Sequence, residues 1–170
     1  MSIVTTAVVC IAAIACAIDL HQRRIPNWLT FGAAAAGLIY QILMYGWLGL
    51  MLGGAGLLVG LAVFFLPFVL GGLGAGDVKL VAALGVWLGP VEILWVAIYT
   101  ALAGALLALA VSFARGYLRE AITNIWVLLM HWRIEGLRPL PELTIHHGKG
   151  PKLAYGLAIF AGTMVTIWIR

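Results

Sequence analysis

The chain has 170 residues, of which 64% are hydrophobic and only 9% charged, with a formal net charge of +4. Soluble domains are roughly 45–50% apolar and about 25% charged, and ten basic plus six acidic side chains cannot solvate a globule of this size. This excludes an ordinary cytosolic enzyme, a disordered protein and a nucleic-acid-binding domain, and leaves an all-α polytopic membrane protein.

A membrane helix needs about 20 apolar residues, with a range of roughly 17–25. Six candidates follow in chain order, within one membrane domain covering 1–170. The first is 2–18. No Lys or Arg precedes its apolar run, unlike a secretory signal, so it is expected to be a retained helix. Cys10 and Cys16 both lie in it, about 240° apart around the helix, and read as core residues. A polar stretch from Asp19 to Asn27 follows. The second span is 28–45, with Asn27 able to cap its start; the third is 47–70, after a very short turn. Gly56 and Gly60 form a small-x-x-x-small pair for helix packing in the third span.

A glycine-rich break over 71–76 leads to the fourth span, 77–89. Its twelve or so helical residues cover only about 18 Å, short of a hydrocarbon core of about 30 Å. It either continues past Pro90 or ends inside the protein. The fifth span is 91–114 and the last 153–169. Between these two, 115–152 is a cytoplasmic or interfacial segment. Leu118, Ile122, Ile125, Trp126, Leu129 and Trp132 form an apolar stripe at helical spacing, so a helix lying in the interface is expected before Pro139 and Pro141.

With six spans, Arg23, Arg24, Lys79, Arg115, Arg119, Arg133, Arg138, Lys149 and Lys152 share one face and only Arg170 lies on the other. The positive-inside rule makes the basic face cytoplasmic and puts both termini outside. Dropping the fourth span would split the basic residues between the two faces.

The chain has two aspartates, Asp19 and Asp77. This topology puts both at the cytoplasmic end of a membrane helix, where ionisable groups are costly and by default mark a functional site. Blander roles exist for each. Asp77 can cap its helix, and Asp19 can pair with Arg23 at i+4. Against these stands the coincidence of depth and side. Glycines before Asp77 would let an extended peptide approach closely. Two carboxylates in one site hold a single proton near their working pH. The ionised partner can then take a proton from water while the protonated one polarises a peptide carbonyl. No metal or organic cofactor is needed.

Asp19-Leu-His-Gln-Arg-Arg-Ile-Pro-Asn27 and Gly74-Ala-Gly-Asp-Val-Lys-Leu80, followed by Ala-Ala-Leu-Gly-Val-Trp-Leu-Gly89, resemble the signatures of the type IV prepilin peptidases, which are G-x-G-D intramembrane aspartyl proteases. Gly150-Pro-Lys-Leu-Ala-Tyr-Gly-Leu-Ala158 resembles the start of that family's last span. The resemblance covers most of the chain, least closely over 115–148. It implies that Asp19 and Asp77 are the catalytic pair; Gly74, Gly76 and Lys79, in the loop and helix start around Asp77, are expected to bind the substrate. It also implies a prepilin or pseudopilin substrate whose short basic leader is removed at the cytoplasmic face of the bacterial inner membrane, with indirect links to pilus assembly. The longer relatives carry an N-terminal segment with paired C-x-x-C motifs and methylate the new N-terminus. This chain resembles the short form serving Tad or Flp-type pili, for which peptidase activity alone is expected.

Other residues have simpler expected roles. Lys79 reads either as a positive-inside anchor or as a charge acting on Asp77 or substrate. Arg23 and Arg24 read as headgroup contacts. His21, His131, His146 and His147 share no metal-ligand spacing, and Glu92 reads as a boundary residue. The alternative function is a small proton- or cation-coupled transporter using the two aspartates; a non-enzymatic membrane subunit is a further one.

Overall fold

A computed structural model of the chain describes residues 2–116, 118–136 and 154–170. Pro139, Pro141, the His146-His147 pair, Lys149 and Lys152 lie outside the described residues. The described residues form helices α1 (Ile3–Gln22), α2 (Asn27–Val69), α3 (Ala75–Leu88), α4 (Pro90–Ala114), α5 (Leu118–Glu135) and α6 (Tyr155–Ile169), with no strand among them. Large apolar side chains point outward along these helices, such as Leu43, Trp47, Phe113 and Trp168. α1, α2 and α4 are each long and apolar enough to cross a membrane. The protein is an all-α membrane protein.

Local chemistry sets the helix ends. Ser2 caps α1, its hydroxyl accepting from the Thr5 N–H at 3.1 Å. α1 continues a full turn beyond the expected end at 18, because Asp19, Leu20, His21 and Gln22 all tolerate helix. It stops at Arg23, which takes a left-handed conformation with φ 53°. Ile25 precedes Pro26 and is thereby steered away from helix. α2 begins after Pro26, which caps it without a side-chain bond, so Asn27 is the first helical residue and not the cap.

The second and third expected spans are two arms of α2, 27–45 and 47–69. They are joined at Gly46, whose φ of 57° and ψ of −135° break the helix in a region that favours glycine. Gly49 then sits against the Gln41 carbonyl and Gly53 against Leu38, so the second arm doubles back along the first.

α3 starts two residues earlier than expected and does not continue past Pro90. Its 14 residues span about 21 Å, and Leu80, Val81, Leu84 and Val86 are fully buried. It is a short helix enclosed by longer ones. In lipid such burial stabilises through close packing and not by leaving water. Gly56 and Gly85 meet backbone to backbone where α2 crosses α3, and Gly60 lies against Val81 and Ala82.

A helix ending inside a protein leaves carbonyls that need donors. Gln41, only 7% exposed, donates from Nε2 to the Val86 and Trp87 carbonyls at 3.2 and 3.4 Å. Trp87 in turn donates to the Ala33 carbonyl at 2.9 Å. Gln41→Leu removes both donors and is expected to lower unfolding stability by about 1–2 kcal/mol, measured by denaturant titration in detergent micelles.

α4 and α6 pack through Gly104 against the Tyr155 ring and through Gly162 against Thr100. At the far end Arg170 pairs with Glu92 at 3.3 Å and lies over Trp95. Glu92, expected to be a plain boundary residue, is thus half of a clamp between the start of α4 and the end of α6. α5 presents Ile122, Ile125, Trp126 and Leu129 outward, the apolar stripe seen in the sequence.

Candidate active site

Asp19 lies on the inner face of α1. The buried residues Val8, Ala12, Ala15 and Asp19 follow one another at steps of four, three and four, which trace one side of a helix. The carboxyl therefore enters the core at the end of an apolar stripe, with the residue only 6% exposed. What Arg23 sends to Asp19 is its backbone N–H, which bonds the Asp19 carbonyl at 2.8 Å and closes α1. The Asp19 carboxyl turns instead to α6, where Oδ2 accepts from the Gly156 N–H at 2.9 Å.

Asp77 is the third residue of α3, in a first turn that follows the extended cap residue Gly74. Its Oδ2 accepts from the Gly74 N–H at 3.1 Å, so it does serve the start of its own helix, reaching back from the N3 position. That uses one oxygen of a residue only 9% exposed. A charged group so enclosed is costly, and far more than a single helix cap requires.

The ends of α1, α3 and α6 converge, and the charge of Asp19 acts on Asp77. The charge of Asp77 also reaches Tyr155, the residue beside Gly156. Each carboxyl has one oxygen fixed by a backbone N–H from a helix N-terminus, where the dipole favours negative charge. The second oxygen of each accepts no hydrogen bond from a described residue, which leaves it for water or a peptide. Two such carboxyls sharing one proton can act as base and acid together.

The remaining expected site residues make the following contacts. A side chain on Gly74 would stand 3.1 Å from Asp77 Oδ2, and one on Gly76 would stand 3.1 Å from Ile25 Cβ. The room at these glycines is thus taken by the protein's own carboxylate and by the α1–α2 loop. The stretch before α3 is a set of turns in which Gly74 is extended, not the strand-like loop expected for pairing with a peptide. Lys79 reaches the start of α2. Its Nζ donates to Asn27 Oδ1 at 2.9 Å and lies over the Phe31 ring. It fastens α3 to the start of α2. Exposed contacts of this kind contribute little, so Lys79→Met is expected to leave the cleavage rate within about twofold across the pH range, as an assay at several pH values would show.

Gly156 and Tyr155 were not among the expected site residues. Their stretch was legible only as the start of the last span. The partner of Gly156 lies 137 residues away in the chain, and no local pattern pairs the two.

The model of the type IV leader peptidase family matches residues 6–109, a stretch that holds both aspartates and most of α1 to α4. No curated protein and no solved structure matches the chain. The matched region covers more than half of the sequence, and the chain belongs to the type IV leader peptidase family.

Proposed function

We propose that this protein is an aspartic endopeptidase of the bacterial inner membrane that removes the short basic leader of a prepilin-like substrate, with Asp19 and Asp77 as its catalytic pair. The observation that carries this reading is the meeting of the two aspartates, both buried, at one end of the helices. Their nearness to one end also argues against a proton or cation pathway, which favours acids near the midplane. Arg23, Arg24, Lys79 and Arg115 follow or begin helices at that same end, while Glu92 and Arg170 mark the other. This supports a cytoplasmic site, extracytoplasmic termini and six crossings, α2 supplying two and α5 lying along the interface.

In the proposed reaction the ionised aspartate takes a proton from water as the oxygen attacks the scissile carbonyl carbon. The protonated aspartate hydrogen-bonds the carbonyl oxygen and transfers its proton as the tetrahedral intermediate forms. The C–N bond then breaks. As it does so the nitrogen takes a proton from the pair and a hydroxyl of the intermediate gives one back, so the pair returns to its singly protonated state and the leader keeps the water oxygen in its new carboxyl group. The unshared carboxyl oxygens are the atoms available for these transfers. A Tad or Flp-type pilin is the substrate class proposed.

The test is co-expression with such a prepilin and a mass measurement of the product. A mass equal to the leader-free chain supports leader removal. The same spectrum shows whether a methyl group is added, in which case the assignment of peptidase activity alone falls. An unprocessed substrate at matched membrane levels overturns the assignment of this substrate class.

A further inference from the structure

We infer that Gly156 is a positioning residue for the reaction, orienting Asp19 through its backbone N–H and its lack of a side chain. This rests on the reading of Asp19 as half of the catalytic pair. Three observations carry it. The Gly156 N–H is the donor to Asp19 Oδ2, at 2.9 Å. A Cβ at Gly156 would lie 3.0 Å from both Asp19 Cβ and Oδ2, tighter than nine in ten such contacts, so a side chain there would push the carboxyl by a few tenths of an ångström. Asp19 itself is 6% exposed and has little room to move elsewhere. The bond holds one oxygen and thereby fixes the orientation of the carboxyl group.

The position of Gly156 on α6 adds a consequence. It is the second residue of that helix, where the N–H has no partner within the helix. Asp19 supplies one from another helix. The carboxyl and the free N–H satisfy each other only when α6 is docked against α1. The geometry of the pair therefore depends on a helix outside the stretch that contains both aspartates.

Gly162 provides the comparison on the same helix. A Cβ there would run into Thr100 on α4, a packing fault that does not touch Asp19. The experiment measures kcat, KM and the pH–rate profile for leader cleavage by wild type, Gly156→Ala and Gly162→Ala, each purified in detergent and corrected for folded protein. Gly156→Ala is expected to lower kcat about tenfold or more with little change in KM. Its pH–rate profile is also expected to change, because the pair shares its proton and loses one of its backbone donors. Gly162→Ala is expected to lose thermal stability, with any fall in kcat leaving the wild-type pH–rate profile in place, since no contact of Asp19 is altered. If Gly156→Ala keeps the wild-type kcat and profile, or only loses stability as Gly162→Ala does, the inference is wrong.

A second measurement needs neither a substrate nor a variant at Gly156. Hydrogen–deuterium exchange of the first turn of α6 is compared between wild type and Asp19→Ala. Removal of the acceptor is expected to speed exchange of the Gly156 amide about tenfold. Unchanged exchange overturns the inference even if cleavage is impaired. Faster exchange in a protein that cleaves no prepilin retains the pairing of Asp19 with Gly156 and counts against the leader-peptidase reading alone.

Discussion

Asp19→Asn and Asp77→Asn are each expected to reduce leader cleavage by about 10³-fold or more, the scale of general acid–base chemistry, while leaving the folded protein in place. Asparagine keeps an acceptor oxygen. It can still take the Gly156 N–H at position 19 and the Gly74 N–H at position 77, the two bonds seen here. What it loses is the ability to exchange a proton. A residue serving only as a helix cap would tolerate the change, because Asn caps about as well as Asp. The measurement is substrate turnover with matched amounts of folded enzyme, alongside thermal unfolding. Normal turnover in either variant removes that aspartate from the mechanism; unfolding in either shows that charge and not chemistry is what the position requires. In wild type, a shared proton predicts a bell-shaped pH dependence, whose two limbs describe the pair and not either residue alone.

Gly56→Ala is the structural counterpart, with an expected loss of about 3 kcal/mol in unfolding stability. The obstacle at Gly56 is the Gly85 carbonyl. A flexible side chain could swing aside; a backbone carbonyl within a buried helix moves only with the helix. Since α3 carries Asp77, the same displacement is expected to disturb the pair and lower turnover in the protein that remains folded. Gly85→Ala approaches the same contact from the other side, against the Gly56 carbonyl. The two variants are therefore expected to be non-additive, the double costing less than the sum once the helices have separated. Gly54 serves as the control: nothing lies within 4 Å of a Cβ there, and Gly54→Ala should be neutral or slightly stabilising through helix propensity. Equal stability losses at Gly54 and Gly56 would rule out the close crossing of α2 and α3.

The sequence alone determined the class of the protein and the identity of its two unusual acids. Sixteen charges in 170 residues require lipid, whatever the fold, and apolar runs bounded by Pro26, Gly46, Gly71 and Pro90 are local features that break helices through backbone sterics. Asp19 was legible too, as one of only two aspartates and the residue that ends the first apolar run. The amphipathic stripe of α5 is a matter of period, which needs no partner to be read.

The tertiary structure decided how those acids are held. Whether Lys79 faces Asp77 or Asn27 depends on where α2 lies beside α3, and the structure settles it in favour of Asn27. Whether the glycines around Asp77 open the site or fill it depends on Ile25 and on the carboxylate itself. The largest omission, Gly156, has the same origin. A glycine at the start of an apolar run is locally unremarked, and its N–H becomes significant only when α6 docks on α1 and brings Asp19 within 2.9 Å. Helix breaks and amphipathic faces follow from bonds and periods along the chain, whereas contacts between residues more than a hundred positions apart follow from how helices pack in three dimensions.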